Sequence, residues 1–299
     1  MLQKFNEKNK DIKVFVGGKL VDRNDAKVSV FDSAVQGGDA VWEGLRIYNR
    51  KIFCFREHVN RLQQSAKSLA FVDIPTFEYV RQAVVDTLAA NEMFNDAHIR
   101  LTLTRGEKIT SGMDPRLNQK GSCLIVLAEW KAPVYNNSDG ITLVTSQIRR
   151  NSPQTLDSKI HHNNLLNNIL AKIEANYANA DDALMLDLNG FVAETNATNI
   201  FMIKGDELHT PLPVACLSGI TRKLVLQIAS DLKIKNTERN ISVTEMYNAD
   251  IVFTTGTMGE LTPVKSIDNR LIENKGNTTT FEKILKAFRK KTETEGESF

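Results

Sequence analysis

Two glycine-containing segments in the second half of the chain have residues suited to binding an anion. In the first, Gly219 precedes Ile220 and Thr221, where we predict that a helix begins; the backbone N–H groups of a first helical turn are free to bind anions. In the second, Gly256 and Thr257 end a predicted strand and add a hydroxyl group. A phosphate dianion is best held by several backbone N–H groups and one cation. Each segment alone is more often an ordinary cap or turn, so only the two together indicate a phosphate site.

A third segment precedes these two in the chain, and the order of the three is the order found in one family of enzymes. The segments VAETNATNIF (192–201), LSGITR (217–222) and TTGTMGELTPV (254–264) resemble the cofactor cradle of the fold-type IV pyridoxal-phosphate enzymes. That family includes the branched-chain amino acid aminotransferases, the D-amino acid aminotransferases and the aminodeoxychorismate lyases. The resemblance extends over nearly the whole chain, and the branched-chain enzymes fit it best.

The resemblance implies that pyridoxal 5′-phosphate (PLP) is the cofactor and assigns residues to its parts. Glu194 opens a Glu-x-x-x-x-Asn-Ile-Phe segment, where the family has the glutamate that pairs with the ring nitrogen. An electron-withdrawing ring needs that nitrogen protonated, and a carboxylate keeps it so. Arg61 lies in a His-x-x-Arg-Leu stretch, where the family has its phosphate-binding arginine. The remaining phosphate contacts are assigned to Gly219, Ile220, Thr221 and Thr257.

The resemblance places the substrate-binding residues in the first half of the chain. DAVWEGLR (39–46) is similar to a stretch typical of branched-chain enzymes, and it implies that Trp42 and Gly44 shape the side-chain pocket. Arg100 matches the arginine that orients the substrate carboxylate in those enzymes. Arg116 falls where D-amino acid enzymes carry a carboxylate-binding arginine. The sequence leaves both arginines open for this role.

The position of the catalytic lysine depends on which of two family spacings applies. The lysine forms a Schiff base with the cofactor and moves a proton, and the family spacings are Lys-x-x-Asn and Lys-x-x-x-Asn-Tyr. With Asn164 as the motif asparagine, the short spacing puts His161 in the lysine's place. With Asn163, the long spacing puts Lys159 there, but the expected tyrosine is missing. Imidazole cannot form an imine, so we predict Lys159 as the catalytic residue.

Hairpins interspersed with helices predict an α+β fold, here the two-domain fold-type IV architecture also described as D-amino acid aminotransferase-like. We predict a small α+β domain at 1–130, a polar, turn-rich linker at 131–138 and a larger PLP-binding domain at 139–299. The apolar run at 123–130 predicts a strand buried on both faces, and the alternating stretch at 97–106 predicts another strand. Helices are predicted at 56–70 and 163–178, and the capping box Ser242-Val-Thr-Glu245 predicts the start of a short helix. Hairpins are predicted around Gly17-Gly18, Asn189-Gly190 and Gly205-Asp206. The charged C-terminal tail is predicted to be solvated and frayed.

Composition excludes several classes of function. The formal net charge of +2 does not indicate the strongly basic surface that is typical of nucleic-acid-binding proteins. No apolar run is long enough for a membrane span, and the first residues lack the apolar core of a signal peptide. The three cysteines are far apart, which favours reduced thiols in a cytoplasmic protein over a disulfide framework or a zinc site. We predict no metal.

The function implied by the resemblance is transamination of an aliphatic, branched-chain amino acid with 2-oxoglutarate. The partners are then a small amino acid, a 2-oxo acid and a second copy of the chain in a homodimer. Because His161 competes with Lys159 in the motif, one alternative is a PLP-binding homologue that lacks the Schiff-base lysine and is catalytically degenerate. Another alternative is an aminodeoxychorismate lyase or a D-amino acid aminotransferase.

Overall fold

The computed structural model describes residues 3–133, 135, 137, 139–272 and 278–299. Contacts within the chain divide it into two units. The first unit contains the chain up to Ala132, the short segment Ile160–Asn164 and the C-terminal Glu293–Phe299. The second unit contains Pro133–Lys159 and Leu165–Thr292. The predicted domain assignment stays a prediction; these units differ from it in being discontinuous, and residues 134, 136 and 138 of the predicted linker lie outside the described residues.

The elements of the first unit are seven strands and three α-helices among its described residues. The strands are β1 (Lys13–Val16), β2 (Lys19–Asp22), β3 (Ala40–Tyr48), β4 (Lys51–Ile52), β5 (Ala97–Thr104), β6 (Cys123–Trp130) and β16 (Glu297–Ser298). The helices are α1 (Ser33–Gly37), α2 (Phe55–Ser68) and α3 (Phe77–Ala90).

The second unit contains nine strands and four α-helices among its described residues. The strands are β7 (Ile141–Thr145), β8 (Asp182–Leu186), β9 (Val192–Thr195), β10 (Asn199–Lys204), β11 (Glu207–Pro211), β12 (Asn236–Arg239), β13 (Ile251–Gly256), β14 (Glu260–Ile267) and β15 (Arg270–Leu271). The helices are α4 (Leu166–Tyr177), α5 (Ile220–Asp231), α6 (Val243–Tyr247) and α7 (Thr279–Thr294), whose last two residues belong to the first unit. No helix of the described ranges has both the length and the apolar character needed to cross a bilayer.

An antiparallel sheet forms the first unit, in the strand order β16-β4-β3-β5-β6-β1-β2. Helix α2 packs on β3, and α3 packs on β6. Val59 and Leu62 of α2 and Leu101 of β5 are fully buried between these layers. Burial of such side chains stabilises the unit by roughly 1.5–3 kcal/mol each. The opposite face of this sheet carries the predicted substrate residues.

The strand predicted at 97–106 is confirmed as β5, whereas the prediction that β6 is buried on both faces is wrong. In β6, Leu124, Val126 and Ala128 are buried, and the residues between them are only partly buried. The strand pairs along its length with β5. One set of its side chains therefore faces the helices, and the alternate set lies on the less covered face of the sheet. Its continuous apolar sequence therefore does not reflect burial on both sides.

The second unit is built on a mixed sheet in the order β12-β11-β10-β13-β14-β7-β8-β9, with β15 paired to β14. The pairs β11–β12, β14–β7 and β7–β8 are parallel. The hairpins predicted around Asn189-Gly190 and Gly205-Asp206 are confirmed as β8–β9 and β10–β11. The predicted capping box, in which Ser242 and Glu245 bond each other's backbone, opens α6. Local turn and cap chemistry therefore located two hairpins of this sheet and the start of one helix.

Helix α4 begins later than predicted. The prediction placed its start at residue 163, but the helix begins at Leu166. The preceding segment pairs with β3 instead: Trp42 N donates to His161 O at 2.9 Å, and Asn163 N donates to Ala40 O at 2.7 Å. These residues therefore act as a short extra strand of the first unit.

The C-terminal tail is ordered, contrary to the prediction of a frayed end. Helix α7 runs through Thr294, and Glu297 and Ser298 pair with β4. Arg81 of α3 forms an ion pair with Glu297 at 2.5 Å. The tail is therefore held both by backbone pairing at the edge of the sheet and by the Glu297 side chain.

Candidate active site

The predicted ring-binding carboxylate, Glu194, lies in β9 and is buried within the second unit. Arg150 Nε donates to its Oε1 at 2.6 Å, and Leu217 N approaches the same oxygen at 3.4 Å. Asn199 Nδ2 donates to Oε2 at 3.1 Å. A carboxylate accepts about four hydrogen bonds, so these three contacts leave room for one more donor. The set fits a protonated ring nitrogen as that donor.

Burial raises the pKa of Glu194 above its ordinary value. The neighbouring Arg150 guanidinium acts in the opposite direction, as do its hydrogen bond and that of the Leu217 amide. The carboxylate therefore depends on these donors for its negative charge. A cationic ring nitrogen bound at the remaining acceptor position of the carboxylate would act in the same direction as these donors and lower the pKa of Glu194.

Asn199 connects the Glu194 carboxylate to the predicted phosphate segment. Its Nδ2 also donates to Leu217 O at 2.9 Å. A Cβ added to Gly219 would lie 2.0 Å from Asn199 Oδ1, so only glycine leaves space for this contact. The single asparagine side chain therefore fixes the spacing between the carboxylate and the start of α5.

The start of α5 is suited to an anion. Gly219 is its N-cap and gives no side-chain hydrogen bond to the first turn, which begins at Ile220 and Thr221. The backbone amides of such a turn need partners, and the positive end of the helix dipole favours an anion. Gly219, Ile220 and Thr221 are thus placed as a phosphate cradle requires.

The second predicted phosphate segment lies beside the first. Thr255 of β13 is paired in register with Asn199 of β10. A Cβ added to Gly256 would lie only 3.1 Å from the Thr198 methyl group, and Thr257 follows in the turn to β14. The hydroxyl of Thr255 is buried and, among the described residues, has no hydrogen-bond partner. A buried unpaired hydroxyl next to a helix N-terminus fits a phosphate oxygen.

Lys159 lies in the second unit near these segments. Its Nζ donates to Val214 O at 3.3 Å and forms an ion pair with Asp157 at 3.5 Å, and its side chain is 44% exposed. Lys159 and Glu194 both act electrostatically on the buried Cys216 thiol, Glu194 raising its pKa and Lys159 lowering it. The two contacts of Nζ are with solvent-accessible partners, so the flexible lysine stem can release them at little cost.

In the first unit, Glu43 forms the centre of a buried ionic cluster. Arg61 donates to it through two nitrogens, both at 2.7 Å, and His58 Nδ1 lies 2.6 Å from Oε2. His161 Nδ1 lies 3.1 Å from Oε1. Burial acts to raise the pKa of Glu43, but His161 and the bidentate Arg61 outweigh it and hold that pKa well below its usual range. The role of Arg61 as the cation that binds the phosphate stays a prediction, because its guanidinium group donates two hydrogen bonds to Glu43.

The predicted substrate residues share the other face of the first unit's sheet. The Arg100 guanidinium lies over the Trp42 ring, 3.5 Å from its centroid, and donates to Asn163 Oδ1 at 2.9 Å. The Trp42 ring also contacts His161, with ring centroids 4.2 Å apart. Gly44 is opposite Arg100 in the strand register. Trp42, Gly44 and Arg100 are therefore brought together.

His98 and Arg116 have different surroundings. The His98 imidazole lies over Gly44, where a Cβ would be 3.2 Å from Nε2. Burial, together with Lys131, Arg46 and Arg100, lowers the pKa of His98 to about 3, so this imidazole is neutral. Arg116 is exposed and pairs with Asp114 two residues away.

Several residues of the site were missed by the reasoning from sequence. Arg150 was not singled out, although it makes the shortest contact to Glu194. Glu43 and His58 were included only as members of sequence motifs, and the ionic cluster that they form with Arg61 was not predicted. A charged residue inside an apolar strand, such as Glu43, was a usable signal, because a buried carboxylate requires partners.

The comparisons agree with this geometry. A family model described as amino-transferase class IV matches residues 40–267. The chain therefore belongs to the class IV aminotransferase family. The predictions of a class IV aminotransferase and of the fold-type IV architecture are confirmed at the level of family and fold.

Individual relatives point to one branch of that family. The chain is 57% identical to branched-chain-amino-acid aminotransferase-like protein 2 of Arabidopsis thaliana, over 96% of this chain and 52% of that protein. It is 41% identical to a putative branched-chain-amino-acid aminotransferase of Methanocaldococcus jannaschii, over 93% of this chain and 96% of that protein. A solved branched-chain amino acid aminotransferase from T.th., complexed with N-(5′-phosphopyridoxyl)-L-glutamate, has a TM-score of 0.87 at 30% identity and covers 95% of each chain. The chain spans about half the length of the two Arabidopsis relatives.

Proposed function

We propose that this chain is a PLP-dependent aminotransferase that transfers the amino group of an aliphatic, branched-chain amino acid to 2-oxoglutarate. The cradle of the second unit supports this most strongly. There, Asn199 joins the buried Glu194 to the uncapped start of α5. Such an arrangement presents a carboxylate and a phosphate site at a fixed spacing, which is what a phosphorylated pyridine requires.

Pyridoxal 5′-phosphate is the cofactor, and when bound it withdraws electrons from the substrate Cα and makes its proton removable. The chain's own residues do the rest. Glu194 holds a proton on the ring nitrogen, and the amides at the start of α5, with Thr257, bind the phosphate. Lys159 Nζ, once released from Val214 and Asp157, would be the group that holds the cofactor, and the same nitrogen would take up the proton from the substrate Cα.

Substrate recognition is assigned to the first unit. Arg100 binds the substrate carboxylate, while Trp42 and Gly44 shape the pocket for an aliphatic side chain. Arg100 is preferred to Arg116 because Arg100 shares a face with Trp42 and Gly44. Arg116 is exposed and already neutralised by Asp114. Burial lowers the pKa of Arg100 to about 10, which still leaves it charged at neutral pH.

The assembly proposed is a homodimer in the cytoplasm, with the amino acid and the 2-oxo acid as small-molecule partners. The family resemblance supports the dimer. Sedimentation velocity across a range of protein concentrations tests it directly. A monomer at all concentrations would contradict the dimer without affecting the cofactor assignment.

Amino-group transfer tests the proposed reaction. The protein is incubated with PLP, 2-oxoglutarate and leucine, isoleucine or valine, and glutamate formation is measured. Lys159→Ala is expected to abolish transfer, whereas Lys286→Ala, an exposed lysine of α7, should leave it unchanged. D-alanine and aminodeoxychorismate serve as alternative substrates. Turnover of either one in preference to the three branched-chain amino acids would contradict the proposed substrate class.

A second candidate is a PLP-binding protein without a covalent lysine. Two observations favour it: His161, which the short motif spacing puts in the lysine's place, is held by Glu43 and Trp42, and the only motif lysine contacts Val214 and Asp157. PLP would then be retained by Glu194 and the phosphate segments alone. PLP binding that is equal in the unmodified protein and in Lys159→Ala, with no glutamate formed by either, would support this candidate over transamination.

A further inference from the structure

Arg150 is the one buried cation that contacts the Glu194 carboxylate in the described part of the chain. Its side chain is 6% exposed, as is that of Glu194. Its backbone N donates to Leu186 O of β8 at 2.8 Å, and its Nη1 donates to Asn167 Oδ1 of α4 at 3.0 Å. Asn167 is held in turn by the Arg149 carbonyl at 2.8 Å. The backbone of Arg150 is thus fixed by β8, and its guanidinium is held by α4.

This anchoring determines where the remaining acceptor position of Glu194 points. With Arg150 on one oxygen and Asn199 on the other, neither oxygen can rotate away without breaking a charge-assisted hydrogen bond. A buried carboxylate without such a cation would take up a proton and become a donor itself. A neutral carboxyl group would no longer favour a proton on a pyridine nitrogen.

We propose that Arg150 is a positioning residue for the cofactor ring: by fixing and charging Glu194, it makes the site discriminate in favour of a protonated ring nitrogen. The inference rests on the proposed function insofar as PLP is the ligand. Arg150 does not contact the ring. It acts through Glu194, and its effect is therefore specific to ligands that carry the ring nitrogen.

The test compares two ligands that differ at one ring atom. Equilibrium dissociation constants are measured by fluorescence titration for PLP and for 1-deaza-PLP, which has carbon in place of the ring nitrogen. The variants are Arg150→Met, which removes the charge, and Arg150→Lys, which keeps it. Arg149→Met is the matched control, since Arg149 is exposed and its guanidinium donates to the backbone carbonyls of Ser146 and Gln147. Inorganic phosphate, used as a competitor, reports separately on the cradle at α5.

The native protein is expected to prefer PLP to the deaza analogue by about ten- to a hundredfold, the usual range for a charged hydrogen bond. In Arg150→Met that preference should fall to within about threefold, while competition by phosphate stays unchanged; Arg150→Lys should restore part of it. Retention of the full preference in Arg150→Met would overturn the inference. Equal weakening of PLP, the analogue and phosphate would also overturn it, because a purely structural role predicts that result. Failure of the native protein to bind PLP or phosphate at all would instead contradict the proposed function.

Discussion

Replacing Glu43 by glutamine should strongly destabilise the first unit. The carboxylate is fully buried and bonds Arg61 through both oxygens, with His58 and His161 beside it. Glutamine keeps the shape but removes the charge, which leaves the Arg61 guanidinium largely buried without its counter-ion. Breaking a buried ion pair from one side costs about 3–5 kcal/mol. The loss should be at the upper end of that range, because three partners are affected.

The assay is urea unfolding at pH 7 combined with hydrogen exchange measured on peptides from β3 and α2. Glu57→Gln is the matched control: Glu57 lies on the same helix but is exposed, so its loss should cost less than about 1 kcal/mol. The effect should also depend on pH. Because the folded-state pKa of Glu43 is lowered, its stabilising effect is fully present above its unfolded pKa of about 4.3. The effect is lost progressively as the pH falls from there through the lowered pKa of the folded state.

Two results would refute this reasoning. One is a Glu43→Gln variant that loses no more stability than Glu57→Gln at pH 7. The other is a difference between native protein and Glu43→Gln that persists undiminished at a pH well below 4, where the carboxylate of the native protein begins to protonate. Either would show that the ionic cluster does not hold β3 to α2.

Three further predictions concern single residues. Arg100→Met should raise KM for the 2-oxo acid about ten- to a hundredfold in steady-state assays, and Arg116→Met should not; the reverse result would reassign the carboxylate. Gly219→Ala should weaken binding of both PLP and phosphate by about 1–3 kcal/mol in titrations, because the new methyl group meets Asn199; unchanged affinity would show that this contact can relax. Burial raises the pKa of Cys216 to about 12, so iodoacetamide at pH 8 should alkylate it only after unfolding, as mass mapping will show; rapid alkylation of the folded protein would contradict its burial.

Elements set by local chemistry were predictable from the sequence. The Gly17-Gly18 hairpin, the Asn189-Gly190 hairpin and the capping box at Ser242 each depend on a few adjacent residues. Helix α2 was visible because its apolar residues recur at helical spacing on one buried face. These features need no information from distant parts of the chain.

Features that depend on distant contacts were not predictable. Arg150 meets Glu194 across 44 residues of sequence, and His161 meets Glu43 across 118. Nothing near Arg150 marks it as buried. Likewise, the late start of α4 results from backbone hydrogen bonds between the 160–164 segment and β3, which local helix propensity cannot anticipate.

Strand β14 shows a third kind of difficulty. Its sequence, ELTPVKSI, overlaps the segment 254–264, which the resemblance assigned to the cofactor cradle, and no strand was predicted there. Pro263 is nevertheless paired opposite Phe253 of β13. The neighbouring strands impose the extended conformation there, and strand propensity is easily overridden in this way.

The most direct test of the proposed function is borohydride reduction of the protein incubated with PLP, followed by peptide mass mapping. We expect a phosphopyridoxyl group on Lys159 and its absence in Lys159→Ala, with Lys286→Ala labelled as in the native protein. PLP that remains bound but leaves no lysine modified would contradict the assignment of Lys159, and the chain would then be a PLP-binding protein without its catalytic amine.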